Sequence, residues 1–308
     1  MKPFIERTEE HPATTWADIN WRAVEGHVRR LQERIYRATT QKAWRRVKNL
    51  QKLLVRATST KLLAIRRITQ ENQGKHTAGI DGVVYDTPKA RWQLFREGLS
   101  LRGYRPRPVK RVYIPKQNGS QRPLGIPTGK DRVMQAIVTA ALEPEWEARF
   151  EANSYGFRPG RCTMDAIEAL HNTLSRHGAS AWILDADIRG CFDNLAHAPL
   201  LAKLPVFTTT LRRWLKAGVV ELGFFAPTDT GTPQGGGATP PTKLQTFFFG
   251  VHITRVRIDP KHNIDVIPGH VHPLDQRPDE GALAHPVGGL QAAVEFGRKI
   301  FETANNQL

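Results

Sequence analysis

The stretch YRPRPVKRVYIPKQNGSQRPLGIPTGKDRVMQAIV, residues 104–138, changes its period partway through. Up to residue 127 it reads as a hairpin: Val112 and Ile114 alternate with polar neighbours, and Asn118-Gly119 is a turn signal. The strands carry Lys110, Arg111, Lys116 and Arg122, so an extended pair displays cations around a turn. Such a pair can grip a phosphate chain; a solvated edge hairpin has the same composition, and the residues alone leave both open. Beyond it, Thr128 and Asp131 form a box-like N-cap for a helix running through Val133, Ile137 and Ala141 toward Pro144.

N-terminal to the hairpin, residues 1–18 lack periodicity and read as a tail. From Trp21 a helical stripe follows through Val24, Val28, Leu31 and Ile35, with Asp18 as its expected N-cap. A second stripe takes Trp44, Val47, Leu50 and Leu54, and a third Leu62, Ile65 and Ile68. Between Arg29 and Arg67 stand thirteen Lys/Arg and one acid, Glu33. A purely structural helix surface normally uses i,i+4 pairs of opposite charge, and this one forgoes nearly all of them. Phosphate contact through Arg29, Arg30, Arg34, Arg45, Arg46, Lys48 and Lys52 is the reading favoured over a merely solvated face. NQGKHTAGIDG (72–82) is a Gly-rich turn region between these helices and the hairpin.

C-terminal to the capped helix, NSYGFRPGR (153–161) is a loop, and a helix is expected near 163–176. In ILDADIRGCFDNL (183–195), Asp185 and Asp187 are two apart and point to the same side of an extended strand, an arrangement suited to a divalent metal. More helix is expected over Leu200–Val220, and GTPQGGG (231–237) is a loop where backbone can approach a ligand closely. From about Ala238 the character changes: residues 238–308 hold five of the eleven histidines, and His270-Val271-His272 lacks the neighbouring ligands of a metal site.

Composition narrows the partners. The 308 residues are 40% hydrophobic with a formal net charge of +16. Residues 1–120 hold 26 Lys/Arg against 10 Asp/Glu, whereas residues 121–308 hold 19 of each. An excess confined to one part of the chain favours a polyanionic partner, with nucleic acid ahead of a membrane surface because the basic helices have no wide Phe/Trp-rich face. Two cysteines, Cys162 and Cys191, give neither a disulfide framework nor a zinc site. With no apolar run near the ~20 residues of a membrane span and no signal-peptide pattern, a cytoplasmic protein is expected.

Five segments, in order, resemble the reverse transcriptase domain of group II intron-encoded proteins: GKHTAGIDG (74–82), IPKQNGSQRPLGIPTGKDRVMQAIV (114–138), LEPEWEARFEANSYGFRPGR (142–161), DADIRGCFDN (185–194) and GTPQGG (231–236). The resemblance covers roughly residues 20–237. It implies an α+β fold with right-hand polymerase fingers and an incomplete palm, preceded by a basic helical N-terminal extension. The expected divisions are a flexible tail (1–20), the basic helical region (21–103), fingers (104–180), a partial palm (181–237) and a non-matching tail (238–308). By resemblance, Asp187 is the catalytic carboxylate and binds Mg²⁺ with the Ile188 backbone, and Asp185 is not a ligand. Lys116 and Arg122 grip a deoxynucleoside triphosphate, Phe192 screens its sugar, and Gln234 lies near its base and sugar. The implied partners are intron or template RNA and a DNA primer.

The resemblance also requires an Asp-Asp hairpin beyond the Pro-Gln-Gly loop, and no Asp-Asp occurs in this sequence. Pro240-Pro241 stands where the family continues as a helix. The expectation is a reverse transcriptase/maturase-like chain, truncated or frameshifted after Gly236–Gly237 and inactive alone. The alternative is a remnant that binds RNA only through its basic N-terminal surface.

Overall fold

Asn20 closes the start of the first helix. In the computed structural model, which describes residues 15–115, 119, 121–156, 158–175 and 195–232, its side chain accepts from the Ala23 amide at 3.1 Å. Asp18, the cap expected from sequence, instead accepts from the amide and hydroxyl of Thr15 at 2.9 and 2.8 Å. Nor do residues 15–20 behave as a tail. Trp16 and Ile19 are buried, and the Trp16 indole donates to Gln70 at 3.1 Å. A buried indole with a partner for its N–H needs no period to find its place.

Helices α1 (Trp21–Thr40), α2 (Trp44–Arg56) and α3 (Thr58–Arg66) bury the stripes read from the sequence, and α3 passes into a π-helical turn, Arg67–Glu71, that buries Ile68 and Thr69. Trp44 departs from its stripe and is 45% exposed. A short helix, α4 (Pro88–Arg96), is capped by Thr87.

The hairpin forms as β1 (Val109–Pro115) and β2 (Gln121–Ile126), antiparallel, with Lys110 opposite Ile126 and Pro115 opposite Gln121. That register leaves a connection longer than the two-residue turn of Asn118-Gly119. Next comes α5 (Gly129–Glu147), capped by Thr128, whose hydroxyl accepts from the Asp131 amide at 3.1 Å. It is buried on every side from Asp131 to Pro144, so its hydrophobic residues are not confined to the stripe of Val133, Ile137 and Ala141. It also runs past Pro144. A proline cannot donate to the carbonyl four residues earlier. Here that carbonyl, Ala140, accepts instead from Gln32 Nε2 of α1 at 3.1 Å.

By packing, the chain divides into two units. Of the described residues, those within 15–150 and 195–232 belong to one, and those within 151–175 to the other. The second holds α6 (Thr163–Leu174) and the preceding loop, which Arg158 closes by donating to the carbonyls of Glu151 and Ser154, both at 2.7 Å.

The helix expected over Leu200–Val220 is two short ones, α7 (His197–Lys203) and α8 (Thr208–Leu215), followed by the strands β3 (Val219–Glu221) and β4 (Phe224–Ala226). Pro205 separates the helices, and Gly218, with φ of 78°, turns the chain out of α8. A Cβ at Gly218 would lie 2.2 Å from the Phe225 ring, so only glycine fits. β3 pairs in parallel with β1, Val109 opposite Val219, which gives a sheet ordered β2-β1-β3-β4. No helix among the described residues is long and apolar enough to cross a membrane.

Candidate nucleic-acid interface

All seven cations expected to meet phosphate (Arg29, Arg30, Arg34, Arg45, Arg46, Lys48 and Lys52) are exposed. Burial of Val28, Leu31 and Ile35 on α1, and of Val47, Leu50 and Leu54 on α2, turns these cations outward. Among the described residues none of the seven is in an ion pair. The local acids are engaged elsewhere: Glu33 with Arg37 at 3.5 Å, and Glu25 and Glu71 with Arg66 at 2.9 and 2.8 Å.

Three of the seven converge. Arg34 of α1 with Arg45 and Arg46 of α2 line an open groove of about 580 Å³, whose wall is completed by Trp44, Asn49 and Leu53. Trp44 and Leu53 are 45% and 49% exposed there. The guanidinium of Arg149 lies 6.0 Å from the Trp44 ring centre and 4.4 Å from that of Trp146. Cations beside an exposed indole suit both the phosphates and the bases of a polynucleotide. Arg29, Arg30, Lys48 and Lys52 do not line this groove. The sequence reading missed Trp44 as a groove residue because its spacing matched a core stripe.

At the N-terminus of α5, two adjacent residues tie the loops of the first unit together. The Asp131 carboxylate accepts from the Tyr104 hydroxyl, from the Arg107 amide at 3.1 Å and from the Thr128 hydroxyl at 2.8 Å. Burial pushes its pKa above the ordinary carboxylate value, against the opposite pull of these hydrogen bonds. Burial and the neighbouring Asp131 charge also hold the Tyr104 phenol well above its usual value. Arg132 donates to the carbonyls of Gly74 and Thr77, and burial lowers its pKa. In the same Gly-rich segment, a Cβ at Gly79 would come within 2.6 Å of the Thr128 backbone, so GKHTAGIDG packs directly on the cap of α5. The sequence presented Asp131 only as a capping residue.

On the sheet, Arg122 is exposed and stands opposite Ile114. Tyr113 donates to Glu221 at 2.7 Å, which ties the hairpin to β3 and raises the Tyr113 pKa. Leu195, the last residue of the stretch 183–195, accepts from the Gly231 amide at 2.9 Å, and the Gly231 carbonyl bonds His197 Nε2 at 2.8 Å. The start of the GTPQGG loop is thereby fastened to the end of the aspartate-bearing stretch. Lys116, Asp185, Asp187, Ile188, Phe192 and Gln234 lie outside the described residues. Among those described, no three His, Cys, Asp or Glu side chains gather as a metal site.

The family described as the N-terminal domain of reverse transcriptase matches residues 16–97, and that described as reverse transcriptase (RNA-dependent DNA polymerase) matches residues 114–247. The second match continues ten residues beyond Gly237, so the family likeness does not end at Gly236–Gly237. Protein YkfC of Escherichia coli (strain K12) is 38% identical over 204 residues, 62% of this chain and 54% of that protein. Group II intron-encoded protein LtrA of Lactococcus lactis subsp. cremoris is 36% identical over 181 residues, 55% of this chain and 29% of LtrA. The chain thus spans about half the length of the first relative and under a third of the second. A solved partial Cas6-RT-Cas1–Cas2 complex aligns at a TM-score of 0.39 and 19% identity, over 65% of this chain and 33% of that one, too loosely to carry any argument. With two adjoining family matches and relatives among group II intron-encoded proteins, the chain belongs to the reverse transcriptase family.

Proposed function

We propose that this chain binds structured RNA through the exposed cations of α1 and α2, as the RNA-facing part of a group II intron reverse transcriptase/maturase. The observation that carries this reading is the groove of Arg34, Arg45 and Arg46 beside exposed Trp44, with none of these arginines in an ion pair among the described residues. Release of counterions from the RNA makes such binding steeply salt-dependent. The reading includes intron or template RNA and a DNA primer as partners, a cytoplasmic location, and a triphosphate held by Lys116 and Arg122 with Phe192 and Gln234 beside it.

Polymerase chemistry is incomplete in these 308 residues. Mg²⁺, with Asp187 and the Ile188 carbonyl as its donors, would supply charge neutralisation at the reacting oxygens. One carboxylate and one carbonyl do not fit a pair of divalent ions, whose mutual repulsion calls for further carboxylates, and the sequence has no Asp-Asp to add.

The test is a filter-binding titration of the full chain against structured RNA across salt concentrations. Replacing Arg45, Arg46, Lys48 and Lys52 together by Ala should flatten the salt slope by roughly 2 to 4. Unchanged affinity and slope would reject the reading.

A further inference from the structure

A second basic cleft lies where the approach to β1 meets the end of α8. Arg105, Arg213 and Lys216, with Pro106 and Ala217, line about 330 Å³ of open space, and no carboxylate lines it. Among the described residues none of the three cations is in an ion pair. Arg105 and Lys216 are exposed, and Arg213 is half-buried.

The cleft is built on a rigid frame. Arg213 Nη1 donates to the Tyr104 carbonyl at 2.6 Å, so its guanidinium is pinned to the backbone that carries Arg105. Tyr104 is itself held by the Trp214 indole at 3.0 Å and by the buried Asp131. The backbone that carries Arg105 is thereby held beside Arg213, while the Arg105 and Lys216 side chains are exposed at the same cleft. Cations in the last turn of a helix complement its dipole, which accounts for Arg213 and Lys216. It does not account for Arg105, which comes from another element and adds repulsion.

We propose that Arg105, Arg213 and Lys216 form a phosphate-binding cleft, distinct from the groove between α1 and α2. The shared ligand chemistry is a phosphate oxyanion held by charge-assisted hydrogen bonds. Its source is either the backbone of a single-stranded polynucleotide or a free polyphosphate, and only the first rests on the nucleic-acid reading above.

The experiment compares the full chain with Arg105→Gln/Lys216→Gln, which leaves the Arg213 anchor intact. A control, Lys89→Gln/Arg96→Gln, removes two exposed cations of α4. Melting temperatures first establish that all three are folded. Salt-dependent anisotropy with a labelled single-stranded RNA lacking terminal phosphates reads the backbone, and calorimetry with pyrophosphate reads the free anion. A slope reduced by roughly 1 to 1.5 in the cleft variant but not the control supports a backbone phosphate. Pyrophosphate binding lost at least tenfold in the cleft variant alone, with the RNA slope unchanged, supports the free anion. No change in either assay, or equal changes in cleft variant and control, overturns the proposal. Because the groove variant of α1 and α2 is measured separately, failure of one site is distinguishable from failure of the other.

Discussion

Gln32 Nε2 donates to the Ala140 carbonyl at 3.1 Å, the group that Pro144 leaves without a helical partner. A side chain of α1 thus stands in for a missing backbone amide of α5. Gln32→Ala should cost about 1–2 kcal/mol, the usual penalty of an unsatisfied buried acceptor. In a Pro144→Ala background, where an amide returns, the same change should cost distinctly less. Denaturation of the four proteins of this cycle checks the coupling; additive effects would mean that Gln32 does not serve Ala140.

Trp44 should contribute to RNA binding without contributing charge. Its exposed ring offers a face to an unpaired base, and stacking of this kind is worth about 1–3 kcal/mol. Trp44→Ala should weaken binding of single-stranded RNA while leaving the salt slope unchanged. A slope that falls with affinity would show that the substitution disturbs the neighbouring arginines instead.

The raised pKa of Asp131 has a definite signature in stability. The folded state keeps a proton that the unfolded chain releases above the ordinary value of 3.8. The contribution is therefore fully present below that pH and is lost as pH rises through the folded value. Asp131→Asn removes this component, so its stability should decline less than that of the native chain on going upward from about pH 4. Urea denaturation at several pH values reads the difference, and parallel curves would assign the decline to other groups.

Primer extension provides the catalytic check. The 308-residue polypeptide should give no DNA product on an RNA template with Mg²⁺, and Asp187→Ala should change nothing. A product that disappears on Asp187→Ala would show that another carboxylate completes the site.

The helical stripes were legible because α1 and α2 each bury one face, so period and burial coincide. In α5 the two part company: a helix buried on every side has no polar face to define a stripe, and Met134, Val138 and Leu142 form a second buried row beside Val133, Ile137 and Ala141. β3 was hidden because Val219 continues the helical spacing of Leu211 and Leu215, and only Gly218 marks the break. Trp16 and Ile19 join the core from a segment too short to show a period. The basic surface was legible as charge. Its groove was not, because convergence of Arg34 with Arg45 and Arg46 depends on how two helices meet. The cleft of Arg105 with Arg213 and Lys216 was less visible still, with its parts on distant stretches of chain.

The parallel pairing of Val109 with Val219 also sets a timetable. The β1–β2 hairpin closes locally soon after it leaves the ribosome, but the other edge of β1 awaits a strand made about 110 residues later. At translation rates of about 5–20 residues per second, that edge stands unpaired for roughly 5–20 seconds. Lys110 and Arg111, on the waiting strand, are the kind of charged residues that discourage a nascent edge from pairing with a neighbouring chain. Charges at these two positions thus suit an edge that waits for its partner, separately from any contact they make once the sheet is complete.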